Sequence, residues 1–172
     1  MSVLPEIPRP DQGDVVELIL ADHRLFEEIL RERRNDQNDR DALRALLSEV
    51  LVAHGEAEEA RVYPQLERKD AIDEDEAEHG EEEHRDIYQA LLPLLEATEL
   101  YDDDFSHLVH ELSETLLHHL DEEERDILNP ARSDVGDADR ARLGEAWLAE
   151  RARLLDEGCG SVEQVRALLD GH

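Results

Sequence analysis

The sequence predicts an all-α protein, an up-down-up-down four-helix bundle followed by a C-terminal helical extension. Only 3 % of its 172 residues are aromatic, which is low for a β-sandwich or a β-barrel. Its six Pro and eight Gly collect at a few joints, too sparsely for an all-β chain. Between the joints, apolar residues recur every three or four positions, which is the period of a helix with one buried face. Four such stripes are most simply buried against one another in a bundle with short connections.

The first two helices are predicted from their caps and stripes. Helix one begins after Asp14, a residue type favoured at N-caps, and runs to Arg34. The polar joint at residues 35–40 separates it from helix two, which we expect to end near Tyr63, because Pro64 ends a helix at the residue before it. The stripes contain Val16, Ile19, Leu20, His23, Phe26 and Leu30 in helix one, and Leu43, Leu47, Val50, His54, Ala57, Glu58, Arg61 and Val62 in helix two.

The next two helices follow the same rules. Helix three begins near residue 74 and reaches Pro93, which kinks or ends it. Residues 102–104 are acidic cap candidates for helix four, which we expect to end near residue 129, before Pro130. The stripes contain Ala77, His84, Ile87, Leu91 and Leu94 in helix three, and Phe105, Leu108, Leu112, Leu116, His119, Glu123 and Ile127 in helix four.

We divide the chain into three parts. Residues 1–13 form an N-terminal arm, residues 14–130 form the bundle, and residues 131–172 form the C-terminal helical extension. The extension is predicted either to cover the bundle or to pair two chains as a homodimer.

Within the extension, residues 137–156 predict a fifth helix. Ser161 with Gln164 three residues later predicts the capped start of a short last helix. Between them, Cys159 is flanked by glycines, and we place it in a turn away from the bundle. It cannot form an internal disulfide because it is the only cysteine in the sequence.

The charge of the chain excludes several classes of partner. Asp and Glu number 47 against 18 Lys and Arg, and the net charge of -29 repels nucleic-acid phosphate and anionic lipid. Lys69 is the only lysine, and an acidic, lysine-poor composition is typical of proteins that work in concentrated salt, where the Debye length falls to about 3 Å near 1 M. No apolar run reaches the roughly 18 residues of a membrane span, and the start lacks a signal-peptide pattern. We therefore expect a soluble, halophilic, cytoplasmic protein without nucleic-acid or membrane partners.

Four histidines and two glutamates occupy positions in the apolar stripes where leucines are expected. Every stripe contains a histidine, and two of the histidines are followed by a glutamate four residues later. Residues four apart are neighbours on a helix, so both side chains of such a pair can reach one ion. Counting about 1.5 Å per residue from the helix ends places the four histidines in one layer. The six residues are His23, His54, Glu58, His84, His119 and Glu123.

Buried carboxylates and imidazoles at one height predict bound cations. An ionised carboxylate in an apolar interior costs several kcal/mol unless it is paired, and only Arg61 stands near that height as a basic residue of the stripes. A mixed set of imidazoles and carboxylates suits iron or manganese, with zinc as a competitor. Six donor side chains are more than a single four-coordinate zinc ion binds. We therefore predict two ions, each held by two histidines and bridged by Glu58 and Glu123, with a position left open for water, an oxo bridge, dioxygen or nitric oxide.

These motifs resemble the hemerythrin-like family of HHE cation-binding proteins, whose iron site lies inside a four-helix bundle. The resemblance covers about residues 14–130. It rests on HGEAEEARVYP from His54, HLDEEERDILNP from His119 and EHRDI around His84. It implies a hemerythrin-like bundle with a non-heme di-iron centre, two iron ions joined by an oxo or hydroxo bridge, with the same six residues as ligands.

One position departs from the oxygen-carrying members of the family. They look as if they carry a second histidine four residues before that of helix three, and here this place is Gly80. His79 lies about 140° away from His84 around a regular helix, so it would need a local bulge to act as a ligand. The arrangement of four His and two Glu looks more like the family branches used in iron sensing and in nitrosative or oxidative stress.

The spacing on helix four leaves an alternative. Pro130 follows Glu124 by six residues, as Pro64 follows Glu58, so Glu124 competes with Glu123; we favour Glu123 because it continues the apolar stripe. Two positions are open to Tyr63 at the end of the bundle: against the lower rim of the metal layer or, as we expect, with its hydroxyl in water. The remaining histidines, His107, His110, His118 and His172, are expected on the solvated surface.

Three functions fit the predicted centre. The first is a protein that binds or senses dioxygen, nitric oxide or hydrogen peroxide, in a stress or iron-handling role. The second is an enzyme that reduces peroxide or oxygen, or repairs iron centres. The third is a purely structural bundle whose folding is stabilised by bound metal. No further acid, base or nucleophile stands in the stripes, which favours binding over catalysis.

Overall fold

The computed structural model describes residues 4–35 and 38–171 of the chain. Residues 1–3 of the predicted arm, residues 36–37 of the joint after helix one, and His172, predicted at the surface, lie outside the described part. Every regular element in that part is a helix, and none of these helices combines the length and apolar character that a membrane span needs.

Four long helices form the bundle and two more form the extension, which confirms the predicted fold class. α4 continues past Pro93, so this proline does not end it. In chain order the helices are α1 (Val15–Glu32), α2 (Arg40–Arg61), α3 (Tyr63–Arg68), α4 (Glu74–Glu96), α5 (Asp103–Glu123), α6 (Asn129–Asp134), α7 (Asp137–Asp156) and α8 (Val162–Asp170). The bundle consists of α1, α2, α4 and α5, and the extension carries α7 and α8.

Neighbouring helices of the bundle run antiparallel. His23, in the middle of α1, contacts Glu124, which follows α5 directly; Arg33, at the C-terminal end of α1, donates a hydrogen bond to Ser113 of α5. As residue numbers rise along α1, the residues contacted on or beside α5 have falling numbers, so the two helices run antiparallel. The short connections between consecutive helices impose the same up-down order on the rest of the bundle.

The helices begin at the predicted caps. Asp14, Asp102 and Ser161 each accept a hydrogen bond from a backbone N–H in the first turn of α1, α5 and α8. α4 begins with a capping box, in which Asp73 and Glu76 each bond to the other's backbone N–H. Each such cap satisfies an otherwise unpaired donor and stabilises the helix by about 1 kcal/mol.

Two predicted helix ends lie beside a proline, and at both the chain continues into a further helical segment that the sequence analysis did not predict. Helix two ends at Arg61, close to the predicted end near Tyr63, and Tyr63 and Pro64 then begin the short helix α3. Helix four does not end before Pro130, because a π-helical turn, Glu124–Leu128, carries the chain into α6. Proline is tolerated in the first turn of a helix, where its missing N–H has no intrahelical acceptor.

The C-terminal extension covers the bundle, with α7 packed along α1 and α2 and α8 packed against α4. Cys159, predicted to lie away from the bundle, is buried against α2, and its thiol donates a hydrogen bond to the carbonyl of Glu49. Burial raises the pKa of the Cys159 thiol to about 11, which makes it a poor nucleophile at neutral pH. These contacts lie within one chain, and the homodimer stays a prediction.

The apolar core is divided into two clusters by a polar layer. On α1, Val15, Val16 and Ile19 belong to one cluster, and residues 25–30 contribute to the other. His23 lies between them, and the other bundle helices repeat the division. The polar side chains at mid-height are therefore enclosed by apolar packing above and below.

Candidate metal centre

All six side chains predicted from the stripes meet in this polar layer, and all six are buried. The ring centroids of His23 and His54 are 5.3 Å apart, and those of His84 and His119 are 4.8 Å apart. The local period of each helix thus correctly predicted which polar residues face inward. Their role as metal ligands is taken up under the proposed function.

The donor atoms fall into two groups that share one carboxylate. Within each group, one donor atom from every residue lies within 4.8 Å of the others. One group contains Glu58, His84, His119 and Glu123, and the other contains His23, His54 and Glu123. The two groups also approach each other through Glu58, since its Oε1 lies 2.8 Å from His54 Nε2. The layer therefore offers two adjacent places for a cation.

Several inner atoms of this layer have no hydrogen-bond partner among the described residues. They are Nε2 of His54, His84 and His119 and both carboxylate oxygens of Glu58. A buried polar atom left unsatisfied costs about 1–3 kcal/mol, and more when it is charged. A cation at this place would engage these lone pairs, so the residues fit a metal site.

A second set of carboxylates holds the outer nitrogen of each histidine. Nδ1 of His54 lies 2.9 Å from a carboxylate oxygen of Asp22, and Nδ1 of His84 lies 2.8 Å from one of Glu59. Nδ1 of His119 lies 3.2 Å from an oxygen of Glu83, and Nδ1 of His23 lies 3.3 Å from one of Glu124. The contacts form a closed ring, because each acid comes from the helix next to that of its histidine. With Nδ1 donating to an acid, the Nε2 lone pair faces the centre, as metal ligation requires.

Sequence reasoning missed this ring of outer carboxylates, although a signal was present. Each outer acid is the direct sequence neighbour of an inner residue; Asp22, for example, precedes His23, and Glu59 follows Glu58. A neighbour in sequence lies about 100° around a helix, so it points toward the adjoining helix instead of the centre. An acid beside four of the six inward polar residues, His23, Glu58, His84 and Glu123, is therefore the signal that predicts an outer shell.

The π-helical turn accounts for the spacing that made Glu124 a competitor of Glu123. Glu58 precedes its proline by six residues and Glu123 precedes Pro130 by seven. The extra residue is accommodated in the π turn, where the N–H of Asn129 bonds to the carbonyl of Glu124. Glu123 consequently faces inward and is buried, whereas the side chain of Glu124 is 44 % exposed and belongs to the outer ring.

Tyr63 enters the layer, contrary to the expectation that its hydroxyl lies in water. The side chain is fully buried, and its hydroxyl donates a short hydrogen bond to Glu123. Its ring stacks on His84 and fills the space beside Gly80, where an added Cβ would lie 2.9 Å from the tyrosine ring. Burial, reinforced by Glu123 and Glu58, raises the pKa of Tyr63 well above its usual value, so the phenol stays protonated.

The extension contributes two side chains that the predictions missed. Arg151 of α7 is buried and forms a bidentate pair with Asp22, with N···O distances of 2.8 and 3.0 Å. The Trp147 ring lies edge-on to His54 at 5.5 Å. Arg61, the basic residue considered from the stripes, points outward with 56 % of its side chain exposed.

The other described histidines lie outside the centre. His107, His110 and His118 are exposed, as expected. His79 is 55 % exposed and contacts Glu122 at 2.7 Å. α4 is a regular helix at this point, so the local bulge that would bring His79 inward does not form.

Without metal, protons are the counter-charges of the inner carboxylates. Burial lowers the pKa of His54, but Glu58 and Asp22 outweigh burial and raise it to about 10. Burial also opposes the shift at His84, where Glu58 and Glu59 raise the pKa well above its usual value. At Glu58, the contact with His54 outweighs burial and lowers the pKa well below its usual range. Cation binding must therefore displace protons from the histidines.

We predict that the metal-free protein loses stability as the pH rises from 6.5 toward 10. The raised pKa of His54 contributes stability that is complete below its unfolded value of 6.5 and is lost as the pH passes through about 10. The lowered pKa of Glu58 contributes stability that is present above 4.5 and is lost in acid. Thermal melts of the metal-free and metal-loaded protein across this range test the prediction. Parallel curves for the two forms would contradict it, because bound metal replaces the protons.

A helical bundle with a buried cluster of His and Glu, each histidine oriented by an outer carboxylate, defines a metal-binding protein of the four-helix class. The chain belongs to the hemerythrin family, since the hemerythrin HHE cation binding domain matches residues 14–131. No curated protein and no solved structure matches the chain. The family and the buried cluster together support metal binding at this centre.

Proposed function

We propose that the chain is a non-heme di-iron protein that binds or senses dioxygen, nitric oxide or hydrogen peroxide in a stress or iron-handling role. The observation that carries the proposal is the set of buried inner atoms without hydrogen-bond partners, from His54, Glu58, His84 and His119. Two cations in this layer would satisfy all of them.

The donor set favours two ions and favours iron. The two donor groups contain three and four residues and share Glu123, so one ion cannot use all the donors at bonding distance. Imidazole with carboxylate is a donor mixture that suits iron. Two ferrous ions carry a charge of +4, which Glu58 and Glu123 reduce to +2 when the histidines are neutral.

The same arrangement leaves room for a small ligand. Groups of three and four protein donors do not fill an octahedral shell. A surface cleft of about 210 Å³ is lined in part by Gly80, Glu122 and Asp126, and Glu123 belongs to the same lining. Iron, when bound, supplies open coordination positions and one-electron chemistry for ligands of this size.

The chain's own residues prepare the site in three ways. The outer carboxylates fix the histidine tautomers, and the two apolar clusters exclude water from the layer. Tyr63 holds a proton at its hydroxyl beside Glu123. It also occupies the space next to Gly80, which supports a role distinct from that of the oxygen carriers with their additional histidine.

A second candidate is an enzyme that reduces peroxide or dioxygen at the same centre. Tyr63 favours it, because reduction of these ligands consumes protons and the phenol is a proton donor held against an inner carboxylate. The apolar stripes of the four bundle helices contain no such proton donor beyond the six inner residues.

Metal analysis and rapid mixing test the proposal. Protein purified without oxygen and loaded with ferrous iron is expected to retain two iron ions per chain. It is then mixed with dioxygen, nitric oxide or peroxide in a stopped-flow spectrometer, with the zinc-loaded protein as a redox-inert control. Reversible spectral changes support binding, and turnover supports the enzyme. Failure to retain iron, or inertness toward all three ligands, overturns the proposed function.

A further inference from the structure

Two pairs of the form His-x3-Glu face each other on the surface where α4 meets α5. One pair, His79 and Glu83, lies on α4, and the other, His118 and Glu122, lies on α5. Each pair is displaced by one residue from inward-facing positions of its helix, which turns it about 100° away from the metal centre. The four side chains belong neither to the inner donor groups nor, apart from Glu83, to the outer ring.

Three of these residues, His79, Glu83 and Glu122, have donor atoms within 4.8 Å of one another. The fourth, His118, contacts both carboxylates. Nε2 of His79 lies 2.7 Å from one oxygen of Glu122, and Nε2 of His118 lies 3.2 Å from the other. Both Nε2 atoms lie 3.8 Å from oxygens of Glu83. Donors about 2.1 Å from a tetrahedrally coordinated ion stand about 3.4 Å apart, within the range observed here.

The charge at this place also calls for a cation. Glu83 is only 9 % exposed and Glu122 is 21 % exposed, so both carboxylates are partly withdrawn from water. Arg125 lies 3.9 Å from Glu122, but its guanidinium forms closer contacts, at 3.0 and 3.2 Å, with Asp126. A divalent ion bound by two neutral imidazoles would neutralise the two carboxylates.

We propose that His79, Glu83, His118 and Glu122 bind one divalent cation, such as Fe²⁺ or Zn²⁺, at a site separate from the buried centre. Two imidazoles and two carboxylates are a donor set that these ions accept.

The position of the surface site connects it to the buried centre. His79, Glu83 and Glu122 line the same cleft as Glu123. Glu83 also accepts from Nδ1 of His119, so one carboxylate belongs to both places. We infer that the surface site captures iron for the buried centre; this second step rests on the proposed function, whereas binding of the cation does not.

The chain contains matched controls on α5. His107 contacts Glu111 at 3.5 Å and His110 contacts Glu114 at 3.2 Å, both with the same four-residue spacing. Among the contacts of the described residues, no second pair faces them from another helix. They therefore represent the ordinary surface His–Glu pair without a metal.

A zinc titration tests the site. Protein whose buried centre holds its full iron content is titrated with Zn²⁺ against a chromophoric chelator, and its iron content is measured again afterwards. We expect one additional zinc per chain, with affinity reduced at least about tenfold in His79→Ala/His118→Ala and unchanged in His107→Ala/His110→Ala. Absence of additional zinc in the parent protein, or equal affinity in the two variants, overturns the site. Circular dichroism verifies that both variants fold.

Iron loading tests the connection. Metal-free protein is mixed with Fe²⁺ without oxygen, and iron incorporation is followed over time. His79→Ala/His118→Ala is expected to reach the same final iron content as the His107→Ala/His110→Ala control, but at least about fivefold more slowly, because the capture step is lost. Equal rates overturn the loading role. A parent protein that retains no iron would instead overturn the proposed function, an outcome that elemental analysis detects before any zinc is added.

Discussion

Glu58→Gln is expected to leave the bundle folded but unable to retain two metal ions. Both carboxylate oxygens of Glu58 are buried without hydrogen-bond partners, and one oxygen lies 2.8 Å from His54 Nε2 and 3.5 Å from His84 Nε2. The amide conserves the volume but removes the charge and one acceptor atom. Outer-shell changes alone cost about 10–100-fold in metal affinity, so this inner change should cost more than about 100-fold. Elemental analysis after gel filtration measures the loss.

The same change should reduce the gain in stability that metal provides. A 100-fold loss of affinity removes about 2.7 kcal/mol of ligand-linked stabilisation. For a chain of this size, that corresponds to a fall of roughly 5–10 °C in the difference in Tm between the metal-loaded and metal-free protein. Glu58 is also the main group that raises the pKa of His54, so fewer protons should be released when the variant binds metal.

Glu114→Gln is the matched control for this variant. Glu114 forms the same four-residue pair, with His110, but its side chain is 69 % exposed on the surface of α5. Metal content and melting difference should remain at the parent values in the control. An unchanged metal content in Glu58→Gln would remove Glu58 from the ligand set and with it the shared two-ion site.

The helical period predicted the bundle and the inward polar residues together, because both depend on the same local geometry. A residue on the apolar stripe must face the core, and His54 or Glu123 can be assigned to the stripe without knowledge of any other helix. The helical segments at the two prolines were missed for the converse reason. Whether Pro64 or Pro130 ends a helix or begins the next turn depends on the packing of the following residues, which the local pattern does not contain.

Contacts between residues far apart in the chain could not be predicted from the local sequence pattern. Arg151 meets Asp22 across 129 residues, and no period relates them. Tyr63 reaches Glu123 because α3 packs against α2 and α4. The halophilic and cytoplasmic assignments stay predictions, as does the homodimer, because they concern surroundings instead of the fold.

Arg151→Met should destabilise the protein by about 3–5 kcal/mol, because it leaves the buried carboxylate of Asp22 without its bidentate partner. This corresponds to a fall in Tm of at least roughly 6 °C. Arg153→Met is the control, since Arg153 lies one half-turn away on α7 and pairs with Glu150 and Glu157 while 52 % exposed. Surface pairs of that kind contribute about 0–1 kcal/mol, so the control should melt near the parent protein. Thermal and denaturant unfolding measure both variants.

A double-mutant cycle separates the structural role of this pair from its role in the metal centre. Asp22→Asn alone strands the buried Arg151 guanidinium, whereas Asp22→Asn/Arg151→Met removes both charges, so the double variant should be more stable than the sum of the single losses predicts. Metal affinity should behave differently. Asp22 holds Nδ1 of His54, and its loss should weaken binding by about 10–100-fold in the single and the double variant alike. Two results would contradict a continuous chain of contacts from Arg151 through Asp22 to His54. One is recovery of both stability and metal affinity in the double variant, and the other is a strictly additive loss of stability.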